Sequence, residues 1–284
     1  MLINDINFTS TFHDTSEFKR RFQINTGISA VDGTESGDIP YANNCFKPKE
    51  GWRELSASEA DVLFSSNKKP HYNRTVSIHQ LPESLKSQFK SLKLTECTKR
   101  SDLLQAFSGN PEKVQNLESE LYPYLKRFTT KSFEYNYLST TPPQRETSSA
   151  FFNANNDLRL IGLHFDRSET FDLADPIMPN KNRIGINLSR EERKVYFINL
   201  SVAEIRRTLI EEHQVEPSAI DMVNLMNVYY KHLRHYPVVS VVVKPYEMYI
   251  APTDNLIHDS TTLGRNSIDV MLSYLGYFNH IETN

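Results

Sequence analysis

In this chain of 284 residues, two histidines and one carboxylate stand where a metal could use them. His164-Phe165-Asp166 closes the apolar run Leu158-Arg-Leu-Ile-Gly-Leu-His-Phe-Asp166, and His258 lies far downstream in Leu256-Ile-His-Asp259. In a strand, side chains i and i+2 share a face, so His164 and Asp166 point inward together while Phe165 packs outward. Imidazole nitrogen and carboxylate oxygen suit Fe(II), and three protein ligands leave positions for a bidentate co-substrate and dioxygen. A lone His-x-Asp is more often a chance pair or a buried, hydrogen-bonded histidine. The distal His258 and the basic residue beyond it raise this one to a candidate metal site.

That basic residue is Arg265, in Gly264-Arg-Asn-Ser267. The far carboxylate of a keto acid calls for a planar, bidentate cation, which is the geometry of arginine. Ser267, two residues on, would turn its hydroxyl to the same carboxylate if both lay on the last strand. Arg183, opening another strand, is the alternative anchor. Arg145, in the loop before the first metal strand, is a candidate for a substrate carboxylate, as is Arg183. Tyr135, Tyr137 and Phe152 are aromatic candidates for a pocket wall or for core, and Asn187 and Asn199 are polar candidates on barrel strands. Asp259 is a candidate partner for the imidazole of His258, although neighbouring side chains on a strand diverge.

The elements that must position these residues follow from periodicity. Residues 76–128 read as helical, with Leu81, Leu85, Phe89 and Leu92 on one face and Val114, Leu117, Leu121 and Leu125 on another. Asn110 and Pro111 mark the start of the second helix. Ser132–Leu138 alternates as a strand, and Arg159–Phe165, Arg183–Leu188 and Lys194–Leu200 are short β-rich runs. Ser201-Val-Ala-Glu204 matches a capping box and opens a helix, and a second helix runs from about Pro217 to Arg234. Strands resume at Val238–Val243, Met248–Ala251 and Ser267–Tyr274. Short strands bracketing two helices make an α+β chain with a jelly-roll core, flanking helices and a helical insertion, and argue against alternating βαβ units. The expected division is residues 1–130 as a mostly helical or irregular region packing on the core, and 131–284 as the core with its insertion at about 201–235. The first 75 residues are polar, hold the turn-rich stretch 33–37 and Trp52, and are expected to form short elements around a core built elsewhere.

Composition narrows the function. Hydrophobic residues make up 38% and the net charge is −3, so a packed core is expected and a general nucleic-acid surface is not. Two cysteines, Cys45 and Cys97, without a CxxC pair, exclude a zinc ribbon or a disulfide framework. No apolar stretch approaches the ~20 residues of a membrane helix. The expectation is a cytoplasmic protein with no membrane and no nucleic-acid partner.

Taken together, His164-x-Asp166, the distal His258 and Arg265-x-Ser267 resemble the Fe(II)/2-oxoglutarate-dependent dioxygenase superfamily. The Lys-Pro-Tyr-Glu turn at 244–247 is similar to the turn before the distal histidine in that superfamily. The resemblance covers roughly residues 130–280. It implies a double-stranded β-helix core, iron held by His164, Asp166 and His258, and 2-oxoglutarate held at its far end by Arg265 and Ser267. The gap from His258 to Arg265 is shorter than the family's usual one, which keeps Arg183 open as the anchor. The implied reaction consumes dioxygen, converts 2-oxoglutarate to succinate and carbon dioxide, and hydroxylates a C–H bond. The expected substrate is a small polar molecule, an amino acid or biosynthetic intermediate, free or carrier-tethered. The alternatives are a cupin-type metalloenzyme that needs no 2-oxoglutarate and a non-catalytic jelly-roll binding protein.

Overall fold

The computed structural model describes residues 1–12, 14–31, 38–64, 70–166 and 181–281. The turn-rich stretch 33–37 lies outside the described residues. The chain begins with β1 (Asn7–Ser10), α1 (Thr15–Arg20), β2 (Phe22–Ile24), β3 (Ile28–Ala30), β4 (Tyr41–Pro48), β5 (Arg53–Glu54), α2 (Ala57–Leu63) and β6 (Thr75–Gln80). Three helices follow, α3 (Glu83–Ser91), α4 (Arg100–Ser108) and α5 (Pro111–Lys126). Next come β7 (Glu134–Thr141), β8 (Ala150–Phe152), β9 (Leu158–Gly162), β10 (Asn182–Asn187) and β11 (Arg193–Ser201). The insertion is α6 (Val202–Glu211) and α7 (Leu225–Leu233), and the chain closes with β12 (Val239–Val243), β13 (Glu247–Ala251), β14 (Leu256–Thr261) and β15 (Asp269–Gly276).

The strand order is that of a double-stranded β-helix. One sheet runs β1-β6-β13-β10-β15-β7, the other β14-β11-β12-β2-β5. From β9 onward the chain passes between the two sheets, and β9 reaches the second through a bridge between His164 and His258. A third sheet, β3-β4-β9-β8, flanks that end.

Alternation along the strands explains the layers. On β11, Val195 and Phe197 face the space between the sheets with Phe8, Phe22, Val241 and Met271. Their neighbours Tyr196, Ile198 and Leu200 face outward and are covered by α6 and α7 through Ile205, Leu209 and Tyr229. On the other sheet, Ile184, Ile186 and Leu272 face outward against Leu85 and Phe89 of α3 and Leu117, Leu121 and Leu125 of α5. Each such fully buried side chain contributes about 1.5–3 kcal/mol of apolar burial. Strands buried on both faces are what a sheet with helices outside and a second sheet inside requires.

The structure differs from the sequence reading before residue 130. Thr75–Gln80 is a strand, not the start of a helix, and it pairs with β13 and with β1. β2 pairs with β12 and β5. The N-terminal residues therefore extend both principal sheets by hydrogen bonding, as well as supplying helices. Strands of three or four residues carry too little alternation to be read alone. Trp52 stacks on Tyr196 with ring centroids 5.1 Å apart. At the start of α5 the Asn110 side chain makes no capping bond and donates instead to the Ala106 carbonyl. Ser201 does cap α6, its hydroxyl accepting from the Glu204 N–H. Among the described residues no helix is long and apolar enough to cross a membrane.

Candidate metal centre

β9 ends at Gly162, whose φ of +72° is in the left-handed region; a Cβ there would lie 2.3 Å from the Phe46 carbonyl oxygen. That turn delivers Leu163 and His164 to the edge of β14. The His164 N–H donates to the His258 carbonyl at 3.0 Å, and the His258 N–H returns to the His164 carbonyl at 2.6 Å. The two histidines are thus direct cross-strand partners, with ring centroids 4.6 Å apart. Asp166 is tied in turn by its N–H to the Thr253 carbonyl at 2.9 Å.

The histidine rings are oriented by their own strands. His164 Nδ1 lies 2.8 Å from the Gly162 carbonyl and His258 Nδ1 lies 3.3 Å from the Leu256 carbonyl. A carbonyl only accepts, so Nδ1 carries the proton in both rings and each Nε2 presents its lone pair. His164 Nε2 is 3.7 Å from Asp166 Oδ1, and His258 Nε2 is 3.8 Å from Asp166 Oδ2. The three donors lie within 4.8 Å of one another and form the one such group among the described residues. One ion about 2 Å from each donor spans up to about 4 Å, which fits the 3.7 and 3.8 Å separations of the carboxylate from the two rings. Burial holds His258 neutral, its pKa lowered to about 3 in spite of the Asp166 charge. Burial opposes ionisation of Asp166, but the His164 ring, when it takes up a proton, and the permanent charge of Arg183 at 2.6 Å outweigh it. The carboxyl is held well below the usual range. Burial disfavours a charge on His164, but Asp166 outweighs it and raises the His164 pKa, so a proton and a metal compete for that Nε2, whereas the His258 lone pair is free.

A cavity of about 790 Å³ opens from the three donors into the space between the sheets, and two arginines line it. Arg183, on β10, puts Nη2 2.6 Å from Asp166 Oδ2 and donates through Nη1 to the Tyr137 hydroxyl at 2.5 Å. Asp166 Oδ2 is nonetheless buried with no aligned hydrogen-bond donor, an orphaned acceptor of the kind a metal fills. Arg193, the first residue of β11, donates to the Ser148 hydroxyl at 3.1 Å, to the Ser260 hydroxyl and to Asp269. Its Nε is buried without a partner. Ser260 lies two residues past His258 on the same face, about 7 Å deeper. Tyr249 completes the wall. A Cβ on Gly185 would stand 2.4 Å from its ring, so that glycine is what lets the ring lie across β10.

The other sequence candidates fall elsewhere. Arg265 is bonded to Asp269 at 2.5 Å and to the Ile268 carbonyl, in the turn before β15, and does not line the cavity. Ser267 donates to the Glu191 carboxylate. The shorter gap after His258 explains both positions, because β15 begins only at Asp269. Arg145 pairs with Asp38 away from the cavity, and Asn187 and Asn199 are spent on carbonyls of neighbouring segments. Asp259 turns from the His258 ring and accepts from Thr147 and Ser149. Tyr137 lines the cavity, whereas Tyr135 and Phe152 are exposed. The insertion supplies part of the wall through Val223, Met226 and Asn227. Arg193 was not a sequence candidate. The alternation of Val195 and Phe197, carried one step back, would have placed it inside.

The strand order and the donor set define a double-stranded β-helix protein with a two-histidine, one-carboxylate centre. No family model and no curated protein matches the chain. Among solved structures it is similar to the Kdo hydroxylase KdoO, described as a non-heme Fe(II) alphaketoglutarate dependent dioxygenase. That similarity includes its apo form and its complex with alphaketoglutarate and Fe(III). Identity is 14%, the match covers 72% of this chain and 80% of that one, and the TM-score is 0.37.

Proposed function

We propose that the protein is an Fe(II)/2-oxoglutarate-dependent oxygenase that hydroxylates a C–H bond of a small polar molecule. The observation that carries the reading is Asp166 Oδ2, buried without an aligned donor, facing two imidazole Nε2 atoms at the head of the cavity. His164, Asp166 and His258 would hold the iron. Iron and 2-oxoglutarate, when bound, supply the chemistry: dioxygen and the keto acid become succinate, carbon dioxide and one oxygen atom inserted into the substrate C–H bond.

The chain's own residues do the rest. Arg193 is the better anchor for the far carboxylate than Arg265, because it lines the cavity and sits one strand repeat deeper than His258. Its counter-ion Asp269 is divided between Arg193 and Arg265. Glu191, which also faces Arg265, is at the surface, so inside the cavity Arg193 has only a shared partner. A carboxylate there meets a planar cation with an unspent Nε–H and the Ser260 hydroxyl beside it. Val195, Met271 and Tyr249 keep that segment of the cavity apolar around the polar ends, and α7 closes one side against water.

The test is anaerobic titration of the apoprotein with Fe(II) and then 2-oxoglutarate, following the visible charge-transfer band of the chelate. The expected result is a band that is absent in His164→Ala and needs far more 2-oxoglutarate in Arg193→Gln. Iron binding with no band would sink the co-substrate assignment and favour a cupin-type centre.

A further inference from the structure

The proposed function leaves Arg183 without a task, although its guanidinium is among the closest groups to the metal donors. The side chain is 13% exposed and reaches from the cavity wall to Asp166 Oδ2, the oxygen that also faces His258. Asp166 is the one carboxylate against it among the described residues; its other neighbours are the hydroxyl and the ring face of Tyr137. A divalent ion bound by His164, Asp166 and His258 takes the charge of Asp166. Arg183 is then a largely buried cation beside a metal cation, with its counter-ion withdrawn. Such a charge is costly unless another anion arrives.

The geometry points to Arg183 as the receptor for a carboxylate of the substrate, released for that contact when a metal takes Asp166; this rests on the metal-centre reading above. The co-substrate does not meet the need. Arg183 pairs across the sheet with Leu275, six residues along β15 from the Asp269 that holds Arg193, which is about 20 Å of strand. A five-carbon diacid held at one end by the metal reaches one of these arginines, and Arg193 is the one beyond His258 and Ser260. The chemistry favours a carboxylate over a phosphate. The group displaced from Arg183 carries one charge, and its replacement carries one, whereas a phosphate ester brings about two. Arg183 offers Nη2 and the buried Nε, which has no partner, on one planar edge, the fork that a carboxylate accepts in parallel. Elsewhere the cavity is lined by the amides of Asn43, Asn44, Asn136 and Asn227, from β4, β7 and the helical insertion. Amides donate and accept without charge, so these four suit hydroxyl or amide groups on the remainder of the ligand.

The test uses the full chain loaded with Co(II), with and without 2-oxoglutarate, and needs no turnover. The probes are N-acetyl-β-alanine and 4-hydroxybutyrate, each against its primary amide, followed by the Co(II) visible spectrum and by calorimetry. The wild-type protein with Co(II) and 2-oxoglutarate should bind the acids in preference to the amides. Arg183→Met should lose that preference and keep wild-type affinity for 2-oxoglutarate. It should also bind Co(II) about ten-fold tighter, because no guanidinium competes for Asp166. Arg183→Lys, which keeps the charge without the fork, should retain part of the preference and report on folding. Equal binding of acid and amide by the wild type, or no binding of either acid, overturns the inference while the metal centre stands. Loss of 2-oxoglutarate affinity in Arg183→Met also overturns it, making Arg183 the co-substrate anchor. Failure of the wild type to bind Co(II) removes the metal centre and this inference with it.

Discussion

Two arginine–aspartate contacts lie along one cavity, and they are built for opposite purposes. At the deep end Asp269 is fully buried and accepts from Arg193, from Arg265 and from the Ser189 hydroxyl. At the metal end Asp166 meets Arg183 at 2.6 Å, yet its Oδ2 receives no aligned N–H. The residue types are the same in both places. What differs is how many donors converge on the carboxylate. A saturated carboxylate is framework, and one with an unspent oxygen is a ligand waiting for an exchangeable partner.

The sharpest way to break this comparison is to remove each carboxylate. Asp269→Ala strands two buried guanidiniums and should cost about 3–5 kcal/mol in urea unfolding. Asp166→Ala strands one guanidinium, 13% exposed, in place of two, and should cost less, about 1–3 kcal/mol. Equal costs would mean that the metal-end pair is framework too.

Acid should act on neither pair first. His79 and His280 flank the Ser77 hydroxyl at 2.8 and 2.9 Å, buried beside β6. Burial, with the neighbouring His280, lowers the pKa of His79 to about 3, and burial lowers that of His280 to about 4. Both lie below the ordinary histidine value of about 6.5, so the unfolded chain takes up protons first. Their contribution to stability is complete above about pH 6.5 and is lost as pH falls toward the folded values, by up to about 1.4 kcal/mol per pH unit for each. Asp166 stays ionised through that window. Unfolding midpoints from pH 7 to 4.5 should therefore show a shallower slope in His280→Asn than in the wild type.

Arg193→Gln sharpens the deep end. It should weaken 2-oxoglutarate binding to the metal-loaded protein by about 30- to 100-fold, corresponding to lost charge-assisted hydrogen bonds of about 2–3 kcal/mol. Arg265→Gln should change it by less than about ten-fold. Calorimetry on the two variants decides which arginine holds the carboxylate. Gly185→Ala crowds the Tyr249 ring and should cost about 1–2 kcal/mol by thermal denaturation.

The three candidate donors were legible because His164 and Asp166 stand two residues apart at the end of an apolar run; His258, in the largely polar stretch 252–262, was legible only once a third ligand was sought for that pair. The proposed co-substrate anchor was not. Arg193 stands in Arg190-Glu-Glu-Arg-Lys194, which reads as a solvated charge run, and only strand register turns one member of it inward. Arg265 looked right by residue type and wrong by position, because the turn before β15 takes up the residues that a longer strand would have used. The early strands were hidden for a different reason. β2 and β3 are three residues each, and β1 is held beside β6 by parallel pairing that no local pattern announces.

The position of β15 has a consequence for biosynthesis. It is not an edge strand: it lies between β10 and β7 in the six-stranded sheet. Both neighbours are translated well before it, so they wait on the ribosome without the strand that joins them, each with an open ladder. The six-stranded sheet can be completed only after residues 269–276 have left the exit tunnel. Until then β7 has no partner strand in that sheet and β10, paired on one side with β13, keeps one open edge of the kind chaperones cover.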